Sequence, residues 1–177
     1  MKEAVYSFSN SEGDKFYLRL AADSELFLSK EMNSFLVEKD FELWGIYLER
    51  SGNVQKVTPM KLLNKVSQLI ATFFIGHPNA ILYYQCDDIS EVPMSFKKKE
   101  TGMLVQEYRN RLFMSMFEKI VRKLNVSVID TPIYIDACGN DVYIHLMSRE
   151  IHAEIAKIIS KDIHHASKFR RKGNPPL

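Results

Sequence analysis

Two adjacent carboxylates, Asp87 and Asp88, follow directly on an apolar and aromatic run at residues 80–86. A short run with no polar alternation is typical of a strand buried on both faces, which would place the acids at the strand's end. Paired acids in this position hold Mg²⁺ in many enzymes of phosphoryl transfer, but aspartate is also common where a turn follows a strand. The second interpretation is favoured, and no metal site is predicted. A third carboxylate for a metal stays open among Glu91, Glu107 and Asp136.

Arg109 falls near the middle of the apolar stripe of a predicted helix at residues 103–124, whereas Arg111 projects towards solvent. An unpaired buried charge is costly, so the Arg109 guanidinium must find an anion. Because the helix is expected to pack back along the preceding strand, we predict that Arg109 pairs with Asp87 or Asp88. A fixed ion pair that sets the register of helix on strand is favoured over a polar pocket with a catalytic role.

The other reactive residue types do not complete a catalytic set. The five histidines contain no i, i+4 pair for zinc, and His145 lies on a predicted strand beside Tyr143 and Met147. Cys86 and Cys138 have no CxxC spacing, which favours thiols in a reducing compartment over a disulfide. The chain carries no glycine-rich phosphate loop and no nucleophile elbow. We therefore predict no cofactor, and the chain is more typical of a non-enzyme than of an enzyme.

Two basic clusters are the remaining candidates for binding. Lys97, Lys98 and Lys99 lie in a predicted loop, and Arg170 and Arg171 lie near the end of the sequence. Basic residues near an aromatic side chain are able to bind phosphates or single-stranded nucleic acid. The net charge of +2 gives the chain only a weak field, so nucleic-acid binding is an alternative that is not favoured. The candidate binding residues are Arg109, Arg111, Lys97, Lys98, Lys99, Arg170 and Arg171.

Alternation and punctuation predict most of the elements. Two short strands around Gly13 indicate a β-hairpin. A helix capped by Thr58-Pro59 ends at Gly76, ahead of a proline. Residues 21–40 show no clear pattern and are left unassigned. The predicted order is β-β-β-α-β-α-β-β-α, in which hairpins at both ends imply a largely antiparallel sheet with helices packed on it, an α+β fold.

Further predictions concern the C-terminal part of the chain. The strand after the second long helix is interrupted at Thr131-Pro132, where a proline indicates a sheet edge or a bulge. Ser148 is predicted to cap the last helix. The apolar stripe of that helix is predicted to consist of Ile151, Ile155, Ile158 and Ile159.

Length and composition indicate one ordinary globular domain. The chain has 177 residues, and its hydrophobic share of 46% and charged share of 26% are sufficient for a real core. We assign residues 1–167 to a single α+β domain and residues 168–177 to a basic, flexible tail. The first residues lack the apolar segment of a secretory signal, and no stretch is apolar enough to span a membrane. A cytoplasmic location and no membrane partner are therefore expected.

The stretch Asn79–Asp87, followed by Arg109-Asn110-Arg111-Leu112-Phe113, resembles a family of small uncharacterised bacterial proteins. The shared features are an aromatic strand that ends in Cys-Asp and a helix that opens with Arg-x-Arg-Leu-Phe. The likeness extends to Tyr6 and Phe8 and to the helix before the strand, and so covers most of the chain. This sequence departs from the family in its long loop after Asp88 and in Met116-Phe117, where the family often has an aromatic pair. The resemblance implies no activity, but it suggests that Asp87 and Arg109 belong to one structural unit.

The leading interpretation is a small bacterial protein that binds another protein, or a second copy of itself, without catalysis. An exposed edge strand around Ile133–Ile135 is the surface that this interpretation predicts. A metal-dependent enzyme directed at phosphates or nucleic acid, with Asp87, Asp88 and Arg109 at its site, is the alternative. Nucleic-acid binding through the basic segments is the third hypothesis.

Overall fold

The computed structural model describes residues 2–10, 13–22, 28–51, 60–86, 102, 105–124, 126–135 and 142–170. These residues form a six-stranded, mostly antiparallel sheet with helices on both faces, which confirms the predicted α+β class. The strands are β1 Glu3–Ser9, β2 Lys15–Ala21, β3 Glu42–Ser51, β4 Ala80–Cys86, β5 Val128–Ile135 and β6 Val142–Arg149, in the sheet order β1-β2-β3-β4-β6-β5. The helices are α1 Lys30–Glu38, α2 Met60–Gly76, α3 Val105–Leu124 and α4 Ala153–Arg170, the last preceded by a 3₁₀ turn at Glu150–His152.

The sheet combines two hairpins with one parallel step. β1 and β2 pair antiparallel, as the hairpin prediction requires, and Gly13 adopts a φ of 87° in their connection. β5 and β6 form the second antiparallel pair, and β6 also pairs antiparallel with β4. The exception is the parallel pairing of β3 with β4, which the crossover through α2 makes possible. β4 therefore lies inside the sheet, where its unbroken apolar sequence is required.

Each face of the sheet carries its own core. The first core lies under α2 and α3, and its members include Phe16, Leu18, Trp44, Val66, Phe73, Leu82 and Met147. The second core lies under α1 and α4, and its members include Leu36, Leu43, Ile81, Ile144, Leu146 and Ile159. Ile81 and Leu82 are adjacent on β4 and belong to different cores, which confirms that this strand is buried on both faces.

The structure adds one helix to the predicted order. α1 lies within the segment that was left unassigned, and only Leu36 of its residues is buried. Ser29 caps this helix by accepting a hydrogen bond from the Met32 amide at 3.1 Å. The same serine is held by Asp162 of α4, which accepts from its amide at 2.9 Å and from its hydroxyl at 2.7 Å.

Four predictions for the C-terminal part are corrected. Ser148 does not cap a helix, because β6 continues to Arg149 and buries the Ser148 side chain completely. Ile151 is 82% exposed in the turn before α4 and Ile158 is also exposed, so the predicted stripe is wrong at these two positions. It is confirmed at Ile159, which is buried, and at Ile155, which packs against the second core. The buried residues of the helix are Ala156, Ile159 and Ile163.

The other two corrections extend elements. β5 runs without interruption through the predicted break at Pro132, because it lies at the sheet edge. α4 continues through residues 168–170, so the predicted tail begins no earlier than residue 171, outside the described residues. Among the helices that the structure describes, none is both long enough and apolar enough to cross a membrane.

Candidate functional site

Most of the predicted site residues lie outside the described part of the chain. These are Asp87, Asp88, Lys97, Lys98, Lys99 and Arg171, together with the candidate carboxylates Glu91 and Asp136. Arg170 is the last residue of α4, and its side chain is also outside the description. The predicted pairing of Arg109 with Asp87 or Asp88 therefore stays a prediction.

Arg109 faces the interior, as its place on the apolar stripe predicts. It is 7% exposed, and Gln106, one turn earlier on α3, is buried equally well. Arg111 points to solvent and forms an ion pair with Glu107 at 2.6 Å. Because Glu107 is engaged on the outer side of the helix, it does not contribute a third carboxylate beside Arg109. The N-terminal half of α3 thus turns two polar side chains towards the sheet.

A buried histidine–carboxylate pair lies on the sheet under the same helix. His145 of β6 is 1% exposed, and its Nδ1–H donates to both carboxylate oxygens of Asp130 on β5, at 2.9 and 2.8 Å. The second ring nitrogen, Nε2, has no hydrogen-bond partner among the described residues. A carboxylate that fixes the tautomer and orientation of an imidazole is the arrangement that general bases and metal-bound histidines use.

Tyr84 joins this pair to the helix. Its ring stacks on the His145 ring with the centroids 4.7 Å apart, and its other contact is the Phe113 ring of α3 at 5.3 Å. Phe113 lies one helical turn after Arg109, so both project from the same side of α3. Burial raises the pKa of the Tyr84 hydroxyl, and the nearby charge of Asp130 raises it further. We call Tyr84, Asp130, His145, Gln106 and Arg109 the polar layer.

Four side chains of the polar layer are buried, and the fifth, Asp130, is 23% exposed. The neighbouring cavity measures about 20 Å³, room for a single water, and its lining is almost entirely apolar. No group of three or more His, Cys, Asp or Glu side chains in the described ranges could hold a metal ion. The cavity is lined by Ile46, Ser67, Ile70, Tyr84, Phe113, Met116, Phe117 and Met147.

The first edge of the sheet, β1, presents a row of outward backbone groups. The amide of Ala22 donates to the carbonyl of Lys2 at 2.9 Å, which makes this pair a hydrogen-bonded one. Since hydrogen-bonded pairs alternate in an antiparallel ladder, the next bonded residues of β1 are the even-numbered ones. The amides and carbonyls that face away from the sheet therefore belong to Glu3, Val5, Ser7 and Ser9.

The side chains of these same residues lie on a part of the sheet that no described helix covers. The second core contains no described residue of β1 or β2, because α1 and α4 cover only the β3–β4–β6–β5 half of that face. Val5 is 55% exposed there and Tyr17 is 36% exposed. Beside them, the Arg19 guanidinium stacks on the Tyr47 ring at 4.2 Å. We call this half of the face, which β1 and β2 form with the outer end of β3, the open face.

Gly45 allows the border of the open face to form. A Cβ atom at this position would lie 2.6 Å from the Tyr47 ring. Without that atom, the Tyr47 ring lies flat over the strand and its hydroxyl reaches the Tyr83 hydroxyl at 2.7 Å. The tyrosine pair thus separates the open face from the second core.

The other edge of the sheet, β5, is interrupted. The amide of Glu150 donates to the carbonyl of Ser127, so the odd-numbered residues of β5 face β6 and the even-numbered ones face outwards. Pro132 is among the outward residues and has no N–H to offer. The predicted edge strand around Ile133–Ile135 is confirmed, but Ile133 is 1% exposed, and Tyr134, at 48%, is the large side chain that this range exposes.

The sequence does not identify Asp130 or the β1 edge as candidates. Asp130 lies two residues after Val128, which packs against the first core, so both side chains are on the same face of β5. This spacing is the only indication of the position of Asp130 that the sequence contains. Comparisons with known proteins add no assignment, because no family model, no curated protein and no solved structure matches the chain. The resemblance to small bacterial proteins therefore stays an expectation.

Proposed function

We propose that this chain is a non-catalytic protein-binding module and that β1 is its binding edge. A partner segment in extended conformation would continue the sheet beyond β1, with main-chain hydrogen bonds providing affinity. Side chains on the open face would provide specificity. A regulatory role through such binding needs no catalytic group in the module.

The outward amides and carbonyls of Glu3, Val5, Ser7 and Ser9 are the observation that carries this proposal. An edge strand that offers both donors and acceptors is a template for another strand, and natural proteins usually block such edges with proline, charge or cover. β1 contains no proline, and its outward residues include a single charged one, Glu3. Val5, at 55% exposed, supplies an apolar contact in the middle of the row.

A library of displayed peptides of strand length tests the proposal. We expect peptides that bind the wild-type chain to lose binding when Val5→Pro removes the outward amide that would bond the peptide. The hairpin itself should be unaffected, because that amide makes no bond to β2. Val5→Thr keeps the amide and a β-branched side chain, so it is the matched control. Bound peptide should slow hydrogen exchange at the amides of Glu3, Val5, Ser7 and Ser9. If selected peptides protect other amides instead, β1 is not the binding edge.

The second candidate function is an enzyme that uses Asp87 and Asp88 with Arg109 as the anion contact. Its support is the burial of Arg109 on α3, one turn before the Phe113 ring that contacts Tyr84. Tyr84 stacks on His145, whose Nε2 lacks a partner among the described residues. A metal-dependent enzyme predicts that Mg²⁺ or Mn²⁺ raises the melting temperature and that Asp87→Asn abolishes the rise. An unchanged melting temperature with both metals would count against this candidate.

We also propose that the module works in the cytoplasm of a bacterial cell. The support for a reducing compartment is the cysteine pattern, in which Cys86 is buried in the first core and Cys138 has no CxxC partner. The bacterial source rests on the resemblance to small bacterial proteins. Thiol titration of the unfolded chain without reductant should detect both cysteines. A result of no reactive thiol would reveal a disulfide and contradict the proposed compartment.

A further inference from the structure

We infer that the strand that pairs with β1 is β1 of a second copy, related by a two-fold axis at Tyr6. This inference rests on the proposed binding edge and names its partner. The two sheets would then form one continuous sheet with the β1 strands antiparallel at its centre. Such an isologous contact closes on itself, because each copy offers the same strand to the other.

The positions of the outward residues fix the register. With the axis at Tyr6, Glu3 of one copy lies opposite Ser9 of the other, and Val5 lies opposite Ser7. Every outward amide and carbonyl between Glu3 and Ser9 then faces an outward group of the second copy. A shift by two residues in either direction leaves an outward residue of each strand without a partner. The pairing about Tyr6 is thus the one that uses the whole edge.

Charges on the open face are complementary in this register. Ser9 pairs with Lys15 inside each hairpin, so Glu3 of one copy lies in the same row as Lys15 of the other, with only the small Ser9 side chain between. Lysine is long enough to cross one strand, as this chain itself demonstrates on the opposite face. There Lys2 of the β1 edge forms an ion pair with Glu42 of β3, with the β2 end at Ala22 between them.

The opposite face of β1 supplies apolar contacts across the same axis. Ala4, Tyr6 and Phe8 point to this side and are only partly buried against the first core. In the inferred dimer, Tyr6 lies opposite Tyr6, and Phe8 lies opposite the small Ala4. Aromatic and small side chains that alternate across a strand pair fit without collision. Both faces of the strand therefore complement themselves in one register.

Sedimentation velocity on the whole chain over a wide concentration range tests the inference. The wild type should shift from monomer to dimer as its concentration rises. Val5→Pro should weaken the dimer about tenfold or more, since symmetry removes two hydrogen bonds of about 1 kcal/mol each. Val5→Thr should dimerise as the wild type does. A wild type that stays monomeric, or a dimer that survives Val5→Pro, would overturn the inference.

A charge exchange tests the register without affecting the backbone. Glu3→Lys and Lys15→Glu should each weaken the dimer about threefold or more, since exposed ion pairs contribute up to about 1 kcal/mol and the dimer contains two of them. The double variant should restore the wild-type affinity. Glu3 and Lys15 lie at opposite ends of the hairpin, so this rescue can arise only between copies. A dimer that the double variant does not restore contradicts the register.

The outcome separates this inference from the proposed function. If the chain is monomeric at every concentration while a selected peptide still protects the amides of Val5 and Ser7, β1 is a binding edge for a different protein, and the inference is wrong. If neither a second copy nor any peptide protects those amides, both are wrong. Each variant is first checked for the wild-type melting temperature, which the outward position of Val5 leads us to expect.

Discussion

β1 and β5 are the two edges of one sheet, and they differ in what they offer to another chain. β1 turns the amides and carbonyls of Glu3, Val5, Ser7 and Ser9 outwards and has an uncovered face beside it. β5 has Pro132 in the middle of its outward row. Two of its side chains are also engaged, because Ile133 is buried and Asp130 binds His145, whereas Tyr134 is 48% exposed.

The difference shows how one fold separates stability from binding. At the β5 end, which we call the closed half, α1 and α4 cover one face of the sheet, α3 packs on β4 and β6 on the other face, and the His145–Asp130 pair lies beneath α3. At the β1 end, helix α2 covers one face and leaves the other exposed. Changes in the closed half should therefore reduce the free energy of unfolding and leave binding at β1 unchanged, and changes at β1 should do the reverse.

Substitution of Arg109 should give the largest loss of stability. Arg109→Ala removes a long side chain from a site that is 7% exposed and leaves a cavity, so we expect a loss of about 2–4 kcal/mol. Arg109→Leu fills much of that space without the cost of a buried charge and should lose less. Denaturant unfolding gives both values. If the two substitutions lower the free energy of unfolding equally, the packing of the Arg109 side chain does not contribute to stability.

A matched control for Arg109 lies two residues further along α3. Arg111 is 62% exposed at its side chain, and its ion pair with Glu107 is within the helix. Arg111→Ala should change the free energy of unfolding by no more than about 0.5 kcal/mol. Neither arginine substitution should alter pairing at β1. A change in dimerisation with Arg109→Ala would show that the two halves of the sheet are coupled.

Loss of the Asp130 carboxylate should have the next largest effect. Asp130→Val leaves His145 buried with no partner for Nδ1, which we expect to cost about 1–3 kcal/mol. The Asp130 side chain is 23% exposed, so water entry should keep the value towards the lower end. The double variant with His145→Leu removes both polar partners and should cost no more than Asp130→Val alone. A larger loss in the double variant would mean that the pair does not act as a unit.

Hydrogen exchange locates this effect in the fold. With Asp130→Val, the amides of β5 that face β6 should exchange faster, because the strand loses its polar attachment to the interior. The amides of β2 should keep their wild-type rates. Equal acceleration in β2 would show that the closed half does not open independently.

The sequence is sufficient for elements that carry their own signal. β4 is identified by an apolar run that only a fully buried strand requires, and Arg109 by its place on a helical stripe. α1 is missed because its burial rests on one residue, Leu36, and its N-cap is held by Asp162, at a distance of 133 residues along the chain. The His145–Asp130 pair is missed for a related reason. Its two residues are brought together by the register of β5 on β6. That register cannot be predicted from the sequence of β5, because an edge strand that contains a proline lacks a clear hydrophobic alternation.

The burial of Tyr84 should make the free energy of unfolding decrease at high pH. Burial raises the pKa of this hydroxyl in the folded chain, whereas in the unfolded chain it ionises near its usual pH of about 10. The contribution of Tyr84 to the free energy of unfolding is therefore fully present below about pH 10. Above that pH it falls by about 1.4 kcal/mol per pH unit. Tyr84→Phe should unfold with a flatter pH dependence in this range. Tyr17→Phe, on the open face, is the control and should keep the wild-type slope.

Substitution of Pro132 should change stability little, and it gives the most direct test of the two edges. Pro132→Val restores the missing outward amide of β5, and the substitution should alter the free energy of unfolding by less than about 1 kcal/mol. Because β5 then offers a complete outward row, we expect self-association that persists when Val5→Pro has blocked β1. Sedimentation of the Val5→Pro/Pro132→Val variant measures this directly. If that variant is monomeric, the proline is not what closes β5, and the cover that α4 and the Asp130–His145 pair provide must be sufficient to protect the edge.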